Sequence, residues 1–337
     1  MSENILTVKD LKTYFYTASG VAKAVDGVSF NIAKGETMGI VGESGSGKSV
    51  TSSSIIRLLP PRTGKIVGGS IEFEGKDVLA LSKKELNDFR GKDIAVIFQD
   101  PMTSLDPVFK IGKQMTEMIM EHQNVTKDEA WKMAVEALNK VGIPEPEKRM
   151  NSYPYELSGG MCQRVIIAMA LACNPRLLIA DEPTTALDVT VQAQVLELLK
   201  ELQRDMDTAI LLITHNLGVV WEMCDKVMVM YAGNTVEFTD TKTLYSNPRH
   251  PYTWGLLDSM PKLSDESKGE LKTIPGTPPD LRLTGECCNF YNRCPYVTEA
   301  CTQSVPPLVE VEPGHFVACH RQNLTNKLEK GEGLKDE

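Results

Sequence analysis

The chain has 337 residues, of which 42% are hydrophobic and 24% are charged, and its formal net charge is −9. This composition is that of an ordinary globular protein, and it excludes a disordered or collagen-like body. The length favours one large domain plus a small one. The acidic balance argues against sequence-independent binding of nucleic acid as the main activity.

The sequence contains no obvious targeting or membrane-spanning segment. Its N-terminus has neither a basic nor an apolar segment, so we expect no signal peptide. The longest apolar run, Val165 to Cys173, is well short of the ~20 residues that a spanning helix needs. We therefore expect a cytosolic protein whose eight cysteines are reduced, which disfavours disulfides and favours metal ligation.

Four short apolar runs are typical of buried strands, at 37–41, 94–98, 177–180 and 210–213. The first leads into a Gly/Ser loop and a predicted helix over 48–59. Strands of this kind with helices between them predict a mostly parallel α/β sheet that is covered on both faces. The fold class that follows is α/β.

The stretch from about 101 to 160 shows helical periodicity and no clear strand. Thr126 is a predicted N-cap, and an apolar stripe from Trp131 to Val141 ends at Gly142. We predict a helical subdomain inserted into the α/β core. After about residue 249 the prolines become dense and long periodic elements stop, and residues 322–337 are predicted to fray.

The strongest motif is the octapeptide 42–49, Gly-Glu-Ser-Gly-Ser-Gly-Lys-Ser, which has the spacing of a phosphate-binding P-loop. Glycines let the backbone bend so that successive N–H groups point at phosphate oxygens, and the following helix presents its positive N-terminus. Lys48 is predicted to reach the β- and γ-phosphates, and the Ser49 hydroxyl to ligate Mg²⁺. The predicted ATP-binding residues of this loop are Gly42, Ser44, Gly45, Ser46, Gly47, Lys48 and Ser49.

A pair of carboxylates follows the predicted strand 177–180. Asp181 is predicted to hold the Mg²⁺ shell, directly or through water, and Glu182 to polarise an attacking water as general base. A solvated turn is the alternative for two adjacent acids. The apolar strand that leads directly into them disfavours it.

The segment 157–161, Leu-Ser-Gly-Gly-Met, resembles the signature of ATP-binding cassette (ABC) ATPases, and it lies 23 residues (181 − 158) before Asp181, as in that family. It opens a predicted helix from Met161 to Cys173, whose N-terminal amides suit a γ-phosphate. Met161 departs from the usual glutamine. The resemblance implies that one subunit's signature closes the ATP site of another, head to tail, through Ser158, Gly159 and Gly160.

Three further polar residues resemble motifs of this family. Gln99 resembles the Q-loop glutamine, which contacts Mg²⁺ or the attacking water and senses the membrane subunit, although a surface polar residue is the alternative. Asp188, in Ala-Leu-Asp at 186–188, resembles the D-loop residue that contacts the opposite subunit, and it is also a predicted N-cap. His215 resembles the switch histidine, which would bond the γ-phosphate and orient Glu182.

Phe15 lies four residues after Leu11, where the family places the aromatic side chain that stacks on adenine. Tyr14 and Tyr16 flank it, and core packing is the alternative interpretation. With this position the resemblance covers a whole cassette, about residues 5 to 250.

The cysteines fall into two groups. Cys162, Cys173 and Cys224 are scattered and are predicted to be buried packing thiols, while five lie between 287 and 319. Four thiolates on a proline-rich segment suit a [4Fe–4S] cluster or a Cys₄ zinc, and the absence of paired knuckles favours the cluster. Cys287 is either spare or the true ligand in place of its neighbour. The predicted ligands are Cys288, Cys294, Cys301 and Cys319.

The C-terminal segments 247–253, 275–279, 293–295 and 312–316 resemble the extension of peptide- and nickel-type importer ATPases, whose four-cysteine version binds an iron–sulfur cluster in peptide transporters. The predicted domains are therefore a nucleotide-binding domain at 1–250, an extension with the cysteine site at 251–321 and a flexible tail at 322–337. The resemblance implies a P-loop NTPase with a RecA-like core, antiparallel β structure, the inserted helical subdomain and a small irregular cysteine-rich C-terminal domain.

The function that the resemblance implies is an ATPase at the cytoplasmic face of the membrane that powers import of di- or oligopeptides as two cassettes close on ATP. ATP, Mg²⁺ and a [4Fe–4S] cluster are the expected cofactors. The expected partners are a second related ATPase subunit, in a heterodimer rather than a homodimer, two permease subunits and, indirectly, an extracytoplasmic peptide-binding protein, with no nucleic acid. The alternatives left open are a nickel importer ATPase, a soluble ABC ATPase acting on nucleic acid or ribosomes, and a metal sensor.

Overall fold

The computed structural model describes residues 3–185, 187–260 and 273–321. Ala186 of the predicted D-loop, residues 261–272 of the predicted extension and the predicted tail 322–337 lie outside the described residues. The chain forms two compact units, each built from several stretches. We call them the helical unit (Met1–Leu6, Ile32–Glu36 and Phe73–Leu212) and the P-loop unit (Thr7–Asn31, Thr37–Glu72 and Ile213–Glu337).

The strands of the described residues are β1 Asn4–Thr17, β2 Gly20–Ala33, β3 Thr37–Val41, β4 Gly64–Phe73, β5 Lys76–Asp77, β6 Ile94–Ile97, β7 Leu177–Asp181, β8 Ala209–Thr214, β9 Lys226–Tyr231, β10 Asn234–Asp240, β11 Val309–Glu312 and β12 His315–Val317. The four strands predicted from apolar runs are present as β3, β6, β7 and β8, with small shifts at their ends. The mixed α/β architecture predicted from the sequence is confirmed.

The α-helices are α1 Lys48–Ile55, α2 Lys83–Asp88, α3 Pro101–Ser104, α4 Ile111–His122, α5 Lys127–Lys140, α6 Pro146–Arg149, α7 Gly159–Leu171, α8 Val189–Met206, α9 Leu217–Met223, α10 Thr241–Ser246, α11 Pro251–Asp258 and α12 Glu299–Gln303. The helix predicted over 48–59 ends early, because Arg57 takes a left-handed φ of 53° and two prolines follow at 60 and 61. Within the described residues, no helix is both long and apolar enough to cross a membrane.

The helical unit contains the predicted helical subdomain. Its α5 begins with the predicted cap, because the Thr126 hydroxyl accepts from Glu129 N at 3.4 Å and the Glu129 carboxylate accepts from Thr126 N at 2.7 Å. The buried stripe of α5 is Ala130, Ala134 and Leu138. Trp131, which the sequence placed at the start of the stripe, is only half-buried. In the same unit β6 pairs with β7 in parallel.

In the P-loop unit, β9 lies between β3, its parallel partner, and β10, its antiparallel partner. The sheet then continues into the cysteine-rich part of the chain, because β12 pairs with β10 and β11 pairs with β12, both antiparallel. The predicted boundary at residue 250 is therefore not a break in this sheet, and the segment beyond it is not wholly irregular. The long strands β1 and β2, which the apolar runs did not reveal, pair with each other in a second sheet.

His250, at the N-cap of α11, makes the folding of this region sensitive to acid. Its ring is buried, and Nδ1 accepts from Tyr252 N at 3.0 Å, so the ring is held neutral beside the buried Glu237. Burial lowers the pKa of His250 from 6.5 to about 4. The Glu237 carboxylate, which favours the protonated ring, offsets only part of this shift.

We expect acid to destabilise the fold through His250. Because the unfolded state binds the proton more readily, this contribution is complete above pH 6.5 and is lost as the pH falls from 6.5 to about 4, by a total on the order of 3 kcal/mol. Urea unfolding at several pH values checks it, with His250→Gln as the comparison. An equal pH slope in both proteins would contradict the prediction.

Candidate functional site

The P-loop follows β3 in the P-loop unit, and its glycines are required by close backbone contacts. Gly42 has a φ of 154°, and a Cβ there would lie 2.2 Å from the Met230 carbonyl oxygen. Gly47 has a φ of 105°, and a Cβ there would lie 2.3 Å from the Ala24 carbonyl oxygen. Only glycine fits at either position, so the loop is held in one tight conformation.

The polar groups of this loop suit a phosphate. Lys48 is buried, and its Nζ donates to the carbonyl oxygens of Gly42 at 2.7 Å and Glu43 at 2.9 Å, which places the ammonium within the bend of the loop. Ser46 is buried, and its Oγ has no hydrogen-bond partner among the described residues. A buried hydroxyl without a partner is costly, and an anion in the loop would satisfy it. Exposed residues of the loop are Ser44, Gly45 and Ser49.

The helical unit holds the predicted carboxylates at the end of β7. Asp181 is buried, and Glu182 follows it with a left-handed φ of 48°. This conformation is uncommon for a residue other than glycine, and such residues cluster at functional sites. The Glu182 Oε2 accepts from Gln99 Nε2 at 2.8 Å and from Thr185 Oγ1 at 2.9 Å. The predicted base and the predicted Q-loop glutamine are therefore in direct contact.

Thr185 is a residue that the sequence analysis missed. Its hydroxyl holds the predicted base, although it stands only three positions after it. The spacing could have revealed this contact, because a Ser or Thr hydroxyl three residues away often hydrogen-bonds back across a turn.

The signature residues lie at the start of α7 in the helical unit. Ser158 is the N-cap, and its Oγ accepts from Met161 N at 3.3 Å. Gly159 lies in open space, whereas a Cβ on Gly160 would lie 2.7 Å from Val191 Cγ1 on α8. Ser158 and Gly159 are exposed, so the N-terminal end of α7 faces solvent.

Asp188 caps the neighbouring helix α8, because its Oδ1 accepts from Val191 N at 3.0 Å. The predicted N-cap is confirmed by this contact. The side chain is exposed, and its D-loop role stays a prediction.

The remaining predicted residues lie in the P-loop unit. His215 is exposed immediately after β8. Phe15 is half-buried on β1, and a Cβ on Gly64 would lie 3.2 Å from its Cε1. The Tyr14 hydroxyl donates to Asp26 Oδ1 at 2.7 Å, and burial and this bond raise the pKa of Tyr14 to about 12. Lys65 Nζ lies 5.3 Å from the centre of the Tyr16 ring. Phe15, which lies between Tyr14 and Tyr16 in the sequence, takes part in neither of these contacts.

All eight cysteines are free thiols. Cys162, Cys173 and Cys224 are buried, as predicted for packing thiols. Burial, with a smaller contribution from the neighbouring thiols, raises the pKa of Cys294 to about 12 and that of Cys288 to about 11. These neighbours include Cys301 and Cys319.

The role of Cys288, Cys294, Cys301 and Cys319 as iron–sulfur ligands stays a prediction. Among the described residues, no group of three or more His, Cys, Asp or Glu side chains is arranged to hold a metal ion.

Comparisons with known proteins agree on one relationship. A family model described as ABC transporter matches residues 25–185, and one described as Oligopeptide/dipeptide transporter, C-terminal region, matches residues 236–301. The chain is 55% identical to the oligopeptide transport ATP-binding protein OppD of Bacillus subtilis, over 93% of this chain and 87% of that protein. It is 50% identical to the dipeptide transport ATP-binding protein DppD of the same organism, over 95% of this chain and 96% of that protein.

A solved structure gives the same result. The ATP-binding cassette MJ0796, in a dimeric post-hydrolysis state bound to ADP and Pi, matches with a TM-score of 0.63 and 27% identity. The match covers 70% of this chain and 98% of that one. Nearly all of the solved MJ0796 cassette therefore aligns with a part of this chain.

Proposed function

Since the chain belongs to the ABC transporter ATPase family of oligopeptide and dipeptide importers, we propose that it hydrolyses ATP to drive peptide import across a membrane. The observation that carries the proposal is the P-loop, where a glycine bend surrounds the Lys48 ammonium and the buried Ser46 hydroxyl, which finds no partner in the described part of the chain. These groups support the binding of nucleotide phosphates in the loop.

In the proposed reaction the P-loop amides and Lys48 bind the phosphates, and Phe15 packs on the adenine. Mg²⁺, when bound, neutralises charge that develops on the phosphates. Ser49, Asp181 and Gln99 would hold it.

Glu182 is proposed as the general base for the attacking water. Gln99 and Thr185 both donate to its Oε2, which fixes the carboxylate in one orientation before water arrives. We propose that His215 positions the γ-phosphate. In-line attack on the γ-phosphate then releases ADP and phosphate.

Two such chains, or this chain and a related ATPase, are proposed to close head to tail. The support is the exposed start of α7, where Ser158 and Gly159 face solvent at the N-terminal end of the helix, directly before Gly160. Asp188 is proposed to contact the opposite subunit. The related cassette MJ0796 is dimeric in its solved structure. We propose a heterodimer on the cytoplasmic face of the membrane, in contact with two permease subunits and served by an extracytoplasmic peptide-binding protein.

The proposed function is tested on the transporter assembled with its permeases in lipid vesicles. We expect ATP hydrolysis to rise when a peptide-loaded binding protein is added, and to be lost in Lys48→Ala because the phosphate-binding ammonium is gone. Stimulation only by a nickel-loaded binding protein would indicate that the cargo is nickel and not peptide. Stimulation by RNA or ribosomes and not by permeases would contradict the proposal.

We further propose that Cys288, Cys294, Cys301 and Cys319 take up a [4Fe–4S] cluster. The support is a set of four free thiols within the short segment 288–319. As they stand they do not form a metal-holding group, so we assign no catalytic step to a cluster.

Anaerobic purification followed by iron and sulfide assay tests the cluster. We expect about four of each per chain, the content of one [4Fe–4S] cluster, with a loss in Cys294→Ser and no change in the buried Cys173→Ser. Zinc in place of iron, or no metal at all, would contradict it.

A further inference from the structure

Arg293, in the segment 287–319 that contains five cysteines, contacts the P-loop. It ends the short 3₁₀ turn Tyr291–Arg293, directly before Cys294, and its side chain is only 4% exposed. Its guanidinium donates from NH1 to Glu43 Oε2 at 2.6 Å and from NH2 to Glu43 Oε1 at 3.0 Å. Glu43 is the second residue of the P-loop, so this bidentate pair joins two segments separated by 250 positions in the sequence.

The guanidinium itself has little freedom. Its Nε donates to the Pro275 carbonyl oxygen at 2.8 Å, NH1 also donates to the Tyr231 hydroxyl at 3.2 Å, and NH2 also donates to the Ile274 carbonyl oxygen at 3.3 Å. Together with the two bonds to Glu43, these contacts use all the N–H donors that an arginine side chain carries. Arg293 is therefore fixed at the position from which it holds Glu43.

Glu43 is held at three points. Its carboxylate accepts from Arg293, its N–H donates to the Tyr252 hydroxyl at 2.8 Å, and its carbonyl oxygen accepts from Lys48 Nζ at 2.9 Å. Tyr252 is fully buried, and its ring centre lies 4.7 Å from that of Tyr231. The loop residue next to Gly42 is thus fixed by the part of the chain beyond the predicted boundary at residue 250.

The pairing of Arg293 with Glu43 affects nucleotide binding because Glu43 carries a negative charge. A carboxylate in a loop that binds a triphosphate adds a like charge, which weakens binding unless a cation pairs with it. Arg293 is always protonated and holds both carboxylate oxygens. Its positive charge offsets that of Glu43, so the loop presents no uncompensated anion beside the phosphates.

We propose that Arg293 is a positioning residue for nucleotide binding, which acts through Glu43 by neutralising its charge and fixing the P-loop. The inference rests on the proposed ATP binding. It makes the cysteine-rich segment a part of the ATP site's support.

The test is a titration of the purified full chain with Mg²⁺-ATP. Arg293→Met should weaken ATP binding about tenfold (~1.4 kcal/mol), because Glu43 is left as an unpaired anion beside the phosphates. Glu43→Gln alone should change affinity by less than about threefold, and in the double variant it should restore most of the lost affinity, since it removes the repelling charge. A merely structural role of Arg293 would give no such recovery.

Arg282→Ala is the matched control. Arg282 lies nearby in the sequence and is 40% exposed, and its guanidinium bonds to Asp280 and to the Ser19 carbonyl oxygen, not to Glu43. ATP affinity should be unchanged in this variant. Circular dichroism on each variant separates a loss of fold from a loss of binding.

Arg293→Met with an affinity within about twofold of the unaltered chain, or a double variant as weak as Arg293→Met, would overturn the inference. If Arg293→Met does not fold, Arg293→Lys decides, because an ammonium cannot hold both carboxylate oxygens and should weaken binding about threefold. Unchanged affinity in Arg293→Lys would then overturn it. An unaltered chain that does not bind ATP overturns the proposed function as well, whereas unchanged binding in the Arg293 variants overturns this inference alone.

Discussion

Replacement of Glu182 by glutamine should lower ATP turnover by the assembled transporter by about 10²- to 10⁴-fold and leave ATP binding nearly unchanged. Glutamine keeps the size of the side chain, and its amide oxygen still accepts from Gln99 and Thr185, but it cannot take a proton from water. The loss should therefore appear in kcat and not in the affinity for ATP. Phosphate release and equilibrium ATP binding, measured on the same preparation, separate the two.

The matched control for this substitution is Glu201→Gln. Glu201 is an exposed carboxylate on α8, in the same helical unit, and it should leave turnover unchanged. Lys48→Ala provides the opposite case, with loss of binding and turnover together. Turnover in Glu182→Gln equal to that of the unaltered transporter would contradict the role of Glu182 as general base.

The parts of the fold and site that local patterns determine could be predicted from the sequence. The strand β3 and the P-loop after it are one continuous stretch, where an apolar run leads into glycines with left-handed φ values. The same holds for β7 and the carboxylates that follow it. In both cases the chemistry depends on neighbouring positions in the chain, which a spacing motif records.

The parts that depend on distant pairing could not be predicted. Nothing near Glu43 in the sequence indicates Arg293, because the two are brought together by the packing of Tyr231, Tyr252 and the segment around Phe290. The β11–β12 hairpin is also too short for periodicity to reveal, and only its pairing with β10 makes it part of the sheet. The thiols of the C-terminal segment illustrate the same limit, since their spacing in the sequence does not determine how they are arranged in the fold.

Glu237→Ala is expected to lower the free energy of unfolding by about 3–5 kcal/mol. The Glu237 carboxylate is fully buried on β10 and accepts from Arg249 N at 2.7 Å, from His250 N at 3.1 Å and from His315 Nε2 at 2.8 Å. Alanine leaves the three donors without this acceptor, two of them buried and Arg249 N half-buried, which costs much more than the loss of an exposed contact. The carboxylate thereby joins β10 to the start of α11 and to β12.

The experiment compares urea unfolding of Glu237→Ala with that of Asp280→Ala, at a pH where both proteins are folded. Asp280 pairs with Arg282 at the surface, so its removal should cost much less than that of Glu237. Glu237→Gln, which keeps one oxygen acceptor, should lie between the two. Because β12 and α11 lose their shared anchor in Glu237→Ala, proteolysis of the native protein should begin in the segment after β10. A loss below about 1 kcal/mol in Glu237→Ala would mean that the three donors find other acceptors and that this carboxylate does not hold the segment in place.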